Sequence, residues 1–122
     1  MKYLCMVIID EKKLKALSKS DSQTLDDESL AYDGALRKGG HFLAAQALEF
    51  VTTAKTLRLR NGKLSITDGP FAETKEQVGG FILIEAKDLN EAIQLAAKIP
   101  ALRLGTVEVR PVKELVASTA HK

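Results

Sequence analysis

Tyr3-Leu4-Cys5-Met6-Val7-Ile8-Ile9 is apolar at every position. A strand reads this way when both of its faces are covered, because successive side chains point to opposite sides of a sheet. Phe81-Ile82-Leu83-Ile84, entered through Gly79-Gly80, repeats the pattern. Two such runs predict the two central strands of one sheet, and the rest of the chain must supply its edges and its cover.

A helix is expected to start near Thr24, with Asp27 three residues on as a capping-box pair. Asp26, Asp27 and Glu28 then stand in its first turn, and Arg37 and Lys38 in its last, as the helix dipole favours. Gly39-Gly40 ends it. Leu25, Ser29, Tyr32 and Leu36 share one face, of which Leu25, Tyr32 and Leu36 would be buried. Upstream, residues 10–21 are polar, with Leu14, Ala16 and Leu17 suggesting a short helical turn. A second helix follows Asp88, with Glu91 three residues on, an apolar stripe at Leu89, Ala92, Ile93, Ala96 and Ala97, and a stop at Pro100.

Residues 41–45, opening on His41, are a short strand candidate, and 46–55 are irregular. In Leu57-Arg58-Leu59-Arg60-Asn61-Gly62-Lys63-Leu64-Ser65-Ile66, Asn-Gly sits between alternating runs. Both turn residues of a type I′ hairpin need positive φ, which Asn and Gly tolerate best. That turn sets Leu59 opposite Leu64 and Leu57 opposite Ile66, so one side of the ribbon is apolar. Thr106-Val107-Glu108-Val109-Arg110 alternates strictly, as a half-buried strand does.

The order is therefore β-α-β-hairpin-β-α-β. We read an α+β fold with a ferredoxin-like βαββαβ core and an inserted β-hairpin, spanning residues 1–112, with 113–122 as a C-terminal tail. The strands at His41 and Val107 become the sheet edges. Two helices cover one face of such a sheet. The other face of both central strands is also apolar, so a second copy of the chain is the expected cover.

Composition narrows the function classes. The chain has 122 residues, one cysteine, 5% aromatics and a net charge of +2. One cysteine excludes an internal disulfide and a cysteine-cluster metal site. Weak charge and few aromatics argue against a nucleic-acid binder. The first apolar run is cut short by Asp10-Glu11-Lys12-Lys13 with no small-residue cleavage site, so we expect neither a signal peptide nor a membrane segment, and a cytoplasmic location.

Asp68-Gly69-Pro70-Phe71-Ala72-Glu73-Thr74-Lys75-Glu76, then Gly79-Gly80-Phe81, then Gly105-Thr106-Val107-Glu108-Val109-Arg110-Pro111-Val112, resembles the YCII-related family in its DGPF-domain branch. Met1-Lys2-Tyr3-Leu4 and Asp88-Leu89-Asn90-Glu91-Ala92 also fit, so the likeness runs from Met1 to about Val112. The resemblance implies a dimeric α/β barrel, two ferredoxin-like sheets packed face to face, in a bacterial protein. It also implies an enzyme-like His–Asp pair in some members and company with extracytoplasmic-function sigma factors. It brings no established substrate and no cofactor. The end, Ser118-Thr119-Ala120-His121-Lys122, lies outside the resemblance.

Asp68 is either a general acid or base held by a rigid Gly-Pro turn, or an Asx-turn residue bonding the turn's own amides. His41, one of two histidines with His121, is either its proton-transfer partner or an edge-strand histidine. Glu73 and Lys75 are either ligand-binding groups or a solvated loop. Arg58 and Arg110 are either anion-binding or ordinary surface cations. Phe71 would pin the turn to the core and Phe81 would pack in a central strand, while Cys5 reads as a small buried hydrophobe. No phosphate loop, nucleophile elbow or zinc spacing is present, so no metal or cofactor is expected.

Three readings follow. One is a dimeric acid/base enzyme acting on a small molecule through Asp68 and His41. Another is a non-catalytic ligand-binding or regulatory module with a protein partner. In the third, the DGPF turn is purely structural.

Overall fold

The computed structural model describes residues 1–118; His121 lies outside the described residues. Six strands and three helices follow in order: β1 (Lys2–Asp10), α1 (Glu11–Lys15), α2 (Lys19–Lys38), β2 (Phe42–Ala47), β3 (Lys55–Arg60), β4 (Lys63–Asp68), β5 (Glu76–Glu85), α3 (Leu89–Ala96) and β6 (Gly105–Pro111). Two short 3₁₀ turns lie at Val51–Thr53 and Pro100–Leu104. Four strands form an antiparallel sheet in the order β2-β5-β1-β6, and β3 and β4 form a separate ribbon. This is the expected ferredoxin-like α+β arrangement, with the two apolar strands at its centre. The sheet is open, so no barrel closes within one chain.

Alternation along β1 separates the two faces. Tyr3, Cys5, Val7 and Ile9 are buried beneath the helices with Ile82 and Ile84 of β5. Leu4, Met6 and Ile8 point the other way, paired across the ladder with Leu83, Phe81 and Val78, and keep part of their surface in water. Burial is thus one-sided within the chain, although the sequence is apolar on both sides.

α2 starts five residues before the expected Thr24. Ser18 is its N-cap, its hydroxyl accepting from the Asp21 amide at 3.0 Å. Ser18 to Asp21 carries the same spacing as Thr24 to Asp27, and nothing between them breaks a helix. Thr24 instead donates back to the Ser20 carbonyl, inside the helix. At the other end Gly40 takes φ +78°, and His41 N donates to Leu36 O at 2.8 Å, closing the helix as expected. Leu25 and Leu36 are buried, and the Tyr32 hydroxyl ties α2 to α3 by donating to Leu95 O at 2.5 Å.

α3 begins as expected, with Asp88 accepting from Glu91 N at 2.9 Å. Its buried stripe is narrower than the sequence suggests. Ala92 and Ala96 are buried, while Leu89 and Ile93 stay 46% and 49% exposed. The helix ends at Ala96, before Pro100, which opens the following 3₁₀ turn.

The hairpin register is as expected, Leu57 opposite Ile66 and Leu59 opposite Leu64, with Asn61 at φ 51° and Gly62 at φ 75°. All four apolar side chains of the ribbon are 59–73% exposed. Among the described residues no helix is long and apolar enough to cross a membrane.

Candidate functional site

A cavity of about 470 Å³ lies between α2 and the helix-facing side of the sheet. Its origin can be traced to small residues. Ala45 and Ala47 of β2 lie opposite Ile82 and Gly80 of β5, so this part of the sheet raises little bulk toward the helix. Gly79 and Gly80 extend the same low floor, and Val7 and Ile9 complete it. A side chain at Gly79 would force Ile9 to shift, because its Cβ would stand 2.6 Å from Ile9 Cδ1. A β-bulge between Val7 and Ile8 accommodates the extra residue there. Ile99, Ala101 and Leu104 close one side. That side is held to α2 by Arg103, whose guanidinium donates to both carboxylate oxygens of Glu28 at 2.9 and 3.1 Å. The pair holds the Glu28 carboxyl below its ordinary value.

Charged groups enter the cavity from one wall. Asp26, Ser29 and Asp33 recur on α2 at i, i+3 and i+7, beside Leu30, and so project along one side of the helix. Asp33 makes no hydrogen bond or ion pair among the described residues. Burial raises its carboxyl above the ordinary value, against a smaller opposing pull from Arg37. The Arg37 guanidinium lies over the Phe42 ring, 4.2 Å from its centroid. A half-open, mostly apolar cleft with a few polar groups is a common form of small-molecule site. Sequence reasoning missed it. The available signals were Ser29 within the buried helix face, and the small residues Ala45 and Ala47 matched by Gly79-Gly80.

The DGPF turn lies at the same end of the sheet. Ile9, on the cavity floor, pairs with Gln77, which lines a shallower cleft with Val51, Thr52, Gly69, Pro70, Glu73 and Thr74. The turn is fastened by backbone. Gly69 N donates to Ala54 O, and Gly69 O accepts from the Thr56 hydroxyl, both at 2.8 Å. Gln77 donates to the carbonyls of Ala72 and Thr74. Phe71 does not pin the turn to the core, as the sequence suggested. It is 80% exposed, with the Arg58 guanidinium 5.6 Å from its ring centroid. The hydrogen bonds already hold the turn, so the ring is left to water and a cation.

Asp68 ends β4 with its side chain 85% exposed and its carboxylate 2.5 Å from Lys55 Nζ. Among the described residues its partner is that lysine rather than a turn amide. His41 lies at the far end of β5: its Nδ1 donates to Glu85 O at 2.8 Å, and its own carbonyl accepts from Glu85 N. A carbonyl can only accept, so Nδ1 carries the proton and Nε2 is the nitrogen left for other work. Loop 69–75 abuts the start of β5, and the strand's ten residues span roughly 30 Å. Within one chain, Asp68 and His41 therefore stand at opposite ends of that strand.

The other candidates are also dispersed. Glu73 lines the turn's cleft. Lys75 Nζ reaches to 4.0 Å from Asp10 Oδ2. Asp10 is the buried charged residue of the chain's described part, and its other oxygen caps α1 by accepting from Lys12 N at 3.0 Å. The Lys75–Asp10 approach joins the loop to the end of β1. Arg110 pairs with Glu108 at 2.5 Å on the face of the sheet away from the helices. Cys5 is fully buried, and burial pushes its thiol up to about 11, which leaves it inert at neutral pH. No group of three or more His, Cys, Asp or Glu side chains among the described residues is placed to hold a metal ion.

The sequence profile of the YCII-related domain matches residues 1–116. An uncharacterized protein of Rhizobium meliloti (strain 1021) is 34% identical over 114 residues, which is 92% of each chain. That match spans β1 through β6 with the hairpin and turn included, so the chain belongs to the YCII-related domain family.

Proposed function

We propose that this protein is a cytoplasmic homodimer of the DGPF branch that binds a small, mainly apolar molecule in the cavity beneath α2. The carrying observation is the cavity itself: about 470 Å³, floored by Ala45, Ala47, Gly79 and Gly80, with its charged groups confined to one wall. That volume is ordinary for a site that encloses a small molecule. The DGPF assignment rests on the unbroken Asp68-Gly69-Pro70-Phe71 string and the residues after it.

The homodimer is supported by the second sheet face. Leu4, Met6, Phe81 and Leu83 form a contiguous apolar centre there that no helix covers. An acid/base role for Asp68 with His41 requires this dimer, because the two groups meet only if different chains supply them. A regulatory role through a protein partner has one supporting observation, the exposed ribbon of Leu57, Leu59, Leu64 and Ile66.

The test is to follow backbone amide chemical shifts while titrating 2-phenylethanol, a neutral apolar probe. Shifts are expected along α2 at residues 25–33 and on β5 at 79–82. Ala45→Leu, which fills the floor, should abolish them while the far-UV spectrum is retained. Shifts elsewhere only, or full binding by Ala45→Leu, would reject the cavity as the site.

A further inference from the structure

Resting on that cavity reading, we infer that the natural ligand is a cation: an apolar body carrying a protonated amine, which the α2 wall recognises through Asp26 and Asp33. The cavity's charged lining has one sign. Two carboxylates and the Ser29 hydroxyl supply its side-chain polar groups on α2, and among the described residues no lysine or arginine lines it. Two guanidiniums stand near this wall, and both are engaged: Arg37, one helical turn on from Asp33, lies over the Phe42 ring, and Arg103 is held by both oxygens of Glu28. Asp33 is without a partner of its own among the described residues, so its carboxylate is available.

The apolar floor makes this wall selective. Asp33, half-buried at the edge of this mostly apolar cavity, loses part of its water, and an ammonium group placed against it restores the lost interactions. An anionic ligand would add a third negative charge to the same side, where no lysine or arginine lines the cavity among the described residues. A neutral alcohol would gain a hydrogen bond but no charge assistance. The ordering expected is therefore amine above alcohol above carboxylate.

Three shape-matched probes decide the matter: 2-phenylethylamine, 2-phenylethanol and 3-phenylpropanoate, each titrated into the full chain at pH 7 and followed by amide shifts. The amine should bind about tenfold more tightly than the alcohol, the usual difference between a charge-assisted and a neutral hydrogen bond. The carboxylate should bind most weakly. The double variant Asp26→Asn, Asp33→Asn should lower the amine to the alcohol's level, and far-UV spectra check that it folds. Equal binding of amine and alcohol, or tighter binding of the carboxylate, overturns the inference while leaving the cavity as a site. No cavity shifts with any probe overturns both.

Discussion

Asp33 keeps a carboxylate partly out of water with no partner of its own, and that has a consequence for stability. Its folded value lies above the ordinary 3.8, so the fold favours the protonated form. The favourable contribution is complete below the unfolded value and is lost as pH rises through the folded one. At pH 7 the charge is a burden, and Asp33→Asn should raise stability by about 0.5 kcal/mol, the scale of a partly exposed site. The gain should vanish near pH 3, as thermal melts at the two pH values will show. Glu28 has the opposite sign. The Arg103 hydrogen bonds depress its folded value below 4.5, so its contribution is present above 4.5 and is lost as pH falls through the folded value. Cys5 offers a third check. With its thiol near 11 and its side chain fully buried, it should react with a disulfide reagent at pH 8 only at the rate of unfolding. Its burial could be read from its place in an apolar strand. The exposure of Asp33 to a cavity could not, because the residue looks like any polar position on a helix.

Local rules placed most of the elements. Asn61-Gly62 dictated both the turn and the hairpin register, because few other residue pairs accept two positive φ values in succession. Gly62→Ala should therefore cost about 1 kcal/mol and speed amide exchange in β3 and β4. α2 shows where local rules are degenerate. Two capping patterns lay six residues apart, and the helix took the earlier one because each further residue adds a hydrogen bond. α3 shows tertiary override, since its apolar Leu89 and Ile93 stay about half exposed. Gly79 is a case of crowding rather than turn chemistry. Gly79→Ala would drive a methyl into Ile9, and the expected cost is about 1–3 kcal/mol by denaturant unfolding.

Assembly is the level at which a single chain leaves most open, and the site residues show why. Asp68 and His41 were paired on chemistry, yet β5 runs between their neighbourhoods. Linear spacing says nothing about which end of a ten-residue strand a loop joins. The sheet's second face gives the sharper argument. Leu4 and Leu83 are cross-strand partners, as are Met6 and Phe81, so four large side chains form one block flanked by Glu108 and Arg110 on β6. An apolar centre with a charged border is how a homodimer interface is composed. The protein should sediment as a dimer at micromolar concentration. Leu83→Lys should shift it to monomer, since two copies of the lysine would lose their water in a self-complementary interface. Leu83 lies outside the helix-covered core, so the monomer should keep its far-UV spectrum. A wild-type chain that sediments as a monomer would leave the apolar block without a cover. It would also remove the only arrangement in which Asp68 and His41 can act together.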